Sequence, residues 1–151
     1  MADATPKKKK DFDLFDVFAV DVKAEEEGRW FLNVRPGLDL LVAREGNPTY
    51  QDRLGELIRE EVGEDIDPGE AAPEAIHRAS LRAVGERLLL GWRYQGEAVL
   101  PFLGESLEYS TENSVTIMTT PEMRDFANYV FRLARNAENF RKKRIEGEAK
   151  N

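Results

Sequence analysis

The chain has 151 residues, 34% of them charged and 41% hydrophobic, with a net charge of −7 and no cysteine. That length favours one compact domain with a modest core and a strongly solvated exterior. The missing thiols exclude disulfides, cysteine nucleophiles and thiolate metal sites. The acidic balance argues against general nucleic-acid binding, and no apolar run approaches the ~18–20 residues of a membrane span.

Residues 1–11 read as a basic leader carrying Lys7 to Lys10, either a solvated tail or a contact for an acidic partner. No apolar signal-peptide region follows, because Asp13, Asp16 and Asp21 interrupt Phe12 to Val22. Phe12, Phe15, Phe18 and Ala19 share one helical face, which predicts a short helix packed onto the domain. Asp21 to Gly28 is charged and reads as a loop. Arg29 to Val34 is rich in strand formers, Arg35-Pro36-Gly37-Leu38 is a type II turn signature, and Asp39 to Ala43 reads as a second strand. These segments predict one β-hairpin, which must pack on helices or pair with something else.

Asn47-Pro48 then supplies a cap and a first-position proline for a helix through Leu54, Leu57, Ile58 and Val62. If Asn47 is that cap, truncating it to alanine costs roughly 0.5–2 kcal/mol. Gly63 to Gly69 reads as an acidic loop. Pro73 opens a second helix with a stripe of Ile76, Ala79, Ala83, Val84 and Leu88, ending near Leu90 and Gly91. Trp92 to Phe102 reads as an apolar connector. Ser110 or Thr111 caps a short helix. Thr120-Pro121 starts a final helix running to about Lys143, in which Phe126, Val130, Leu133, Ala137 and Phe140 form a heptad-like seam.

The chemistry is sparse. His77 is the only histidine, and Glu74 with His77 is too small a set for a structural metal site. The acidic clusters Glu25 to Glu27, Glu60, Glu61, Glu64, Asp65 and Asp67 fall in expected loops and helix ends and read as a solvated face. Asp65 to Glu70 lacks the twelve-residue calcium-loop pattern. There is no phosphate-binding glycine motif, and no serine sits in a nucleophile-elbow context. The run Arg141 to Arg144 reads as cations at a helix C-terminus, with contact to an acidic partner as the rival. No cofactor, metal or catalytic residue is expected. The informative side chains are apolar and aromatic, and such a set forms either core or a groove for a helical partner.

Three segments in order carry a resemblance. The first is Glu26-Glu27-Gly28-Arg29-Trp30 followed by Leu41 to Tyr50. The second is Leu88-Leu89-Leu90-Gly91-Trp92 with Gly96-Glu97 and Pro101-Phe102. The third is Tyr109 to Asn113 with Pro121 to Phe126 and a long helix. This order, spanning roughly residues 14 to 140, resembles the tail assembly chaperones of long-tailed, siphovirus-type bacteriophages and prophages. The resemblance implies a cytoplasmic protein of the infected host that binds the tape measure protein and helps tail tube subunits assemble around it.

The expected fold is α+β, mostly α: an N-terminal β-hairpin followed by about four helices, the last of them long. The expected organisation is a flexible leader at 1–11, one domain at 12–143 and a flexible charged tail at 144–151. Trp92, Tyr94, Phe102, Tyr109, Phe126, Val130, Leu133 and Phe140 are the expected partner surface. Trp30, Asn47 and Tyr50 are expected to fix the hairpin against the first long helix. The alternatives are a ring-forming tail completion or connector subunit and a small regulatory protein using its basic C-terminal end.

Overall fold

The computed structural model describes residues 11–63 and 72–142. The lysine leader, the acidic loop beyond Gly63 with its weak calcium-loop likeness, and the tail from Lys143 lie outside the described residues. The fold is α+β and mostly α. In chain order it runs α1 (Leu14–Phe18), α2 (Val22–Glu27), β1 (Arg29–Arg35), β2 (Leu38–Val42), α3 (Pro48–Val62), α4 (Pro73–Arg87), β3 (Leu89–Tyr94), β4 (Val99–Phe102), β5 (Glu105–Glu108), α5 (Thr111–Thr119) and α6 (Arg124–Arg135). Short 3₁₀ turns sit at Pro121–Met123 and Ala137–Phe140.

The hairpin forms as expected, with its turn at Pro36-Gly37 and Gly37 at φ +81°. It pairs further with a strand that the sequence pattern does not predict. β2 lies between β1 and β3 in an antiparallel sheet, with Leu40 opposite Trp92 and Leu41 opposite Gly91. The predicted end of the second helix is therefore a strand: α4 stops at Arg87, and Leu89 to Tyr94 crosses the sheet. The predicted connector is likewise structured, since β4 and β5 form a second hairpin. Asp21 to Gly28 is not a loop either. Asp21 accepts a hydrogen bond from the Ala24 amide at 3.1 Å and caps α2.

The sheet's inner face carries Leu40, Val42, Leu89 and Trp92. Against it pack α4 through Ala79, Ala83 and Val84, α5 through Ile117 and Met118, and α6 through Ala127, Val130 and Ala134. α3 packs on α4 and adds Tyr50 and Leu57 to the core. Arginines bind these two helices across their exposed side. Arg53 donates to both oxygens of Glu86, at 2.6 and 3.3 Å, while Glu60 faces Arg82 and Glu61 faces Arg78. Glu60 and Glu61 are thus paired acids rather than a free solvated face.

Asn47 is the α3 cap. Its Oδ1 accepts from the Tyr50 amide at 3.0 Å and its Nδ2 donates to the Arg44 carbonyl at 2.6 Å. Both bonds are lost in Asn47→Ala, at a buried position. The expected cost is at the upper end of the capping range, about 2 kcal/mol, read as a lower urea midpoint with unchanged slope. Tyr50 is fully buried beneath the cap. Burial, reinforced by the Glu45 carboxylate, pushes its phenol up to about 12. The folded state therefore favours the neutral phenol. That contribution is intact below the unfolded phenol's pKa of about 10 and is lost as pH rises towards about 12. Tyr50→Phe should flatten the alkaline fall in stability, followed by thermal melts from neutral to high pH. Trp30 does not brace α3. It lies on the outer face of the sheet beside Gly91, with the Arg93 guanidinium 3.8 Å from its ring.

Both ends of the described chain differ from expectation. α1 forms, but its apolar face is exposed rather than packed. The final helix breaks at Asn136, whose side chain accepts from the Glu138 amide at 3.0 Å and starts the last 3₁₀ turn. Thr120 does not cap with its side chain, and its hydroxyl donates back to the Thr116 carbonyl at 2.6 Å. Phe140 so leaves the helical seam and buries edge-on against Phe31, with 6.2 Å between ring centroids. Arg141 and Lys142 do not cap a helix. Val20 bridges Arg141, and the Lys142 amide donates to the Ala19 carbonyl at 2.8 Å.

Candidate partner-binding surface

The eight residues expected to face a partner divide between core and surface. Trp92 is buried: its indole N–H donates to the Leu107 carbonyl at 3.0 Å, and its ring meets Tyr109 edge-on at 4.9 Å. The Tyr109 hydroxyl donates to the Leu89 carbonyl at 2.7 Å, and burial raises its pKa above the ordinary tyrosine value. Val130 and Phe140 are buried as well. Trp92, Val130 and Phe140 offer no face to a partner in this conformation, and Tyr109 is half-buried against the core. Phe102 and Leu133 are half-buried at the margin of the core, and Tyr94 is half-buried at the end of β3. Of the eight, Phe126 lines a surface recess.

The surface features that matter are two recesses on either side of the first half of α6. One is a hollow of about 180 Å³ between the β1–β2 hairpin and α6, walled by Val34, Leu38, Phe126 and Tyr129. Arg35 and Asp125 stand at its edge. The Arg35 and Arg132 guanidinium groups lie 5.4 and 5.5 Å from the Tyr129 ring centroid. It exists because β1 is irregular at Asn33, which adopts φ +52° and accepts from the Gly37 amide. The irregularity brings Val34 to the α6 side, where plain alternation would have continued the outward row of Trp30 and Leu32.

The other recess is a cleft of about 250 Å³ between α4 and the α5–α6 corner. Leu81, Met118, Pro121 and Ala127 form its apolar lining, and His77, Arg124 and Asn128 supply polar groups. Thr119 and Thr120 also line it. Their hydroxyls donate to the carbonyls of Val115 and Thr116 at 2.7 and 2.6 Å, which satisfies the last turn of α5 and leaves them acceptors only. The cleft follows from the corner itself. Pro121 cannot continue α5, so the chain makes a 3₁₀ turn before α6 and opens a notch beside α4. Such a recess accepts one or two apolar side chains from a helix and hydrogen-bonds their surroundings.

His77 is exposed. Among the described residues no group of three or more His, Cys, Asp or Glu side chains is placed to hold a metal ion. Among them also no helix is long and apolar enough to cross a membrane. The cleft was hidden in the sequence because its lining comes from three separated segments. The Thr120-Pro121 pair is the available signal, and by itself it specifies a helix start and not a cleft.

A family model described as YdaY prophage protein matches residues 45–151. The matched span contains the whole of the α4, α5 and α6 cleft and leaves out α1, α2 and the β1–β2 hairpin. No curated protein and no solved structure matches the chain.

Proposed function

The chain belongs to the YdaY prophage protein family, and we propose that it is a non-catalytic tail assembly chaperone that binds the tape measure protein, and through it tail tube subunits, in the host cytoplasm. The observation that carries this reading is the cleft between α4 and the α5–α6 corner, apolar within and polar at its edge. A tape measure helix exposes apolar side chains before tube subunits cover them. A chaperone must shield those side chains reversibly, and a shallow cleft with a polar rim does so without covalent chemistry. The net charge of −7 keeps such a complex soluble. The resemblance of the ordered motifs to those of tail assembly chaperones supports the same reading.

The test is co-expression with the tape measure protein of the same prophage, followed by pull-down and titration. Thr119→Trp and Asn128→Glu change exposed positions at the cleft and should leave the fold intact. Each is expected to weaken binding at least tenfold, about 1.4 kcal/mol. Wild-type affinity in both variants, or abundant protein in mature virions, would overturn the reading. A ring-forming structural tail subunit is the second reading, favoured by the uncovered apolar surface of α1. Virion composition separates the two.

A further inference from the structure

The α1 segment is unusual for a surface helix. Phe12, Leu14, Phe15 and Phe18 are 57–65% exposed, and no residue of α1 is buried. Single exposed apolar side chains are ordinary, but a contiguous group of this kind marks an interaction site. Its charge is distinctive, because Asp11, Asp13 and Asp16 interleave with the phenylalanines and place an aspartate next to Phe12 and next to Phe15.

The hollow between the hairpin and α6 has the complementary character. Its walls are apolar, and its 180 Å³ suits one aromatic ring, given that a cavity of about 150 Å³ holds benzene. Arg35 and Arg132 flank Tyr129, and neither forms an ion pair among the described residues; Arg35 donates only to its neighbour's carbonyl. Asp125 opposes them with one carboxylate. Arg35 belongs to the lining and Arg132 stands just beyond it beside Tyr129, so with the one carboxylate of Asp125 the surroundings of the hollow are net positive beside an apolar floor. An aspartate-flanked phenylalanine matches both features.

The segment does not reach this hollow within its own chain. Ala19 and Val20 are tied to Lys142 and Arg141, and Arg141 lies over Phe18 at 5.7 Å. Arg29 donates to the Arg141 carbonyl, so α1 stands at the Arg29 end of β1. Val34 and Arg35, which border the hollow, stand at the other end, roughly 15 Å away at strand rise.

We propose that α1 of one copy docks into the hairpin–α6 hollow of a second copy, one phenylalanine filling it and the adjacent aspartate pairing with Arg35 or Arg132. Donor and acceptor are different surfaces, so the contact is head-to-tail. It propagates into a ring if the rotation closes and into an open string if it does not. The α4–α5–α6 cleft stays free in such an assembly, so self-association and tape measure binding are separable.

The experiment uses the full chain and measures mass by analytical ultracentrifugation over a wide concentration range, at low and high salt. Phe12→Ser with Phe15→Ser removes the donor, and Arg35→Glu reverses the acceptor; all three positions are exposed, so the fold should survive, checked by unchanged melting. Wild-type protein should associate, less so in high salt, and each variant alone should be monomeric. Mixing the two should restore a complex that stops at one copy of each, because only one intact donor and one intact acceptor remain. Three results would overturn the proposal: a monomeric wild type, variants that associate like wild type, or a mixture that stays monomeric.

Discussion

Trp92→Ala is expected to remove about 3–5 kcal/mol of stability, a large share of what a domain of this size possesses. The residue is fully buried at the middle of β3, opposite Leu40 and edge-on to Tyr109. Its indole N–H also reaches the Leu107 carbonyl of β5, so one side chain joins the three-stranded sheet to the second hairpin. Alanine leaves a large cavity and also removes the donor to the Leu107 carbonyl, and the two costs add. Trp92→Phe keeps much of the ring but not the donor, and should cost clearly less. Urea unfolding measures both. The pair also separates structure from recognition: Trp92→Phe under native conditions should bind a partner as the wild type does. Full stability with lost binding would show that the indole itself reaches the partner.

The parts of this fold that could be read in the sequence are those whose signals are local. Asn47-Pro48 specifies a cap and a first helical position within two residues, and α3 begins there. Ser110 does the same for α5, accepting from the Asn113 amide at 2.9 Å. Pro36-Gly37 marks the first hairpin. The strand β3 was not legible, because Leu88-Leu89-Leu90 continues the apolar run of α4 and a short buried run has no period of its own. Its identity is decided by tertiary pairing with β2. The turns around β4 were masked in another way. Gln95-Gly96 and Leu103-Gly104 hold positive φ at both residues, the geometry of a tight hairpin turn, yet neither has the Asn or Asp that usually announces it.

The candidate site divides along the same line. An apolar seam through Phe126, Val130 and Leu133 is visible as a periodicity, but periodicity cannot say which members are covered. Val130 is buried under the sheet, whereas Phe126 lines a hollow that β1 shapes through its irregularity at Asn33. Phe140 belongs to the numerical pattern and not to the helix, since Asn136 turns the chain before it. The acidic residues show a parallel effect. Glu60 and Glu61 are unremarkable in a charged stretch, and only the packing of α4 on α3 sets Arg82 and Arg78 opposite them.

Gly85→Ala should destabilise by about 1–3 kcal/mol, against the trend for a glycine inside a helix, where alanine is ordinarily the better residue by roughly 1 kcal/mol. A Cβ at this position would lie 2.8 Å from the Val115 Cα, 3.0 Å from its amide nitrogen and 3.1 Å from its Cγ2. Two of those atoms are backbone of α5, so relief requires moving a helix rather than rotating a side chain. Gly55 in α3 is the internal control. The nearest atom to its added Cβ is the end of the flexible Arg59 side chain at 3.6 Å, and Gly55→Ala should stabilise by about 0.5–1 kcal/mol. Thermal melts of the two variants should therefore shift in opposite directions, by a few degrees per kcal/mol. A stabilised Gly85→Ala would mean that α4 and α5 are not held as close as described. The substitution also bears on the cleft. α5 carries Met118 and Thr119 into its lining, with Thr120 just beyond, and α4 contributes His77 and Leu81. A variant that pushes the two helices apart must reshape the notch between them. Gly85→Ala should then weaken tape measure binding even at temperatures where it remains folded, while Gly55→Ala leaves that binding unchanged.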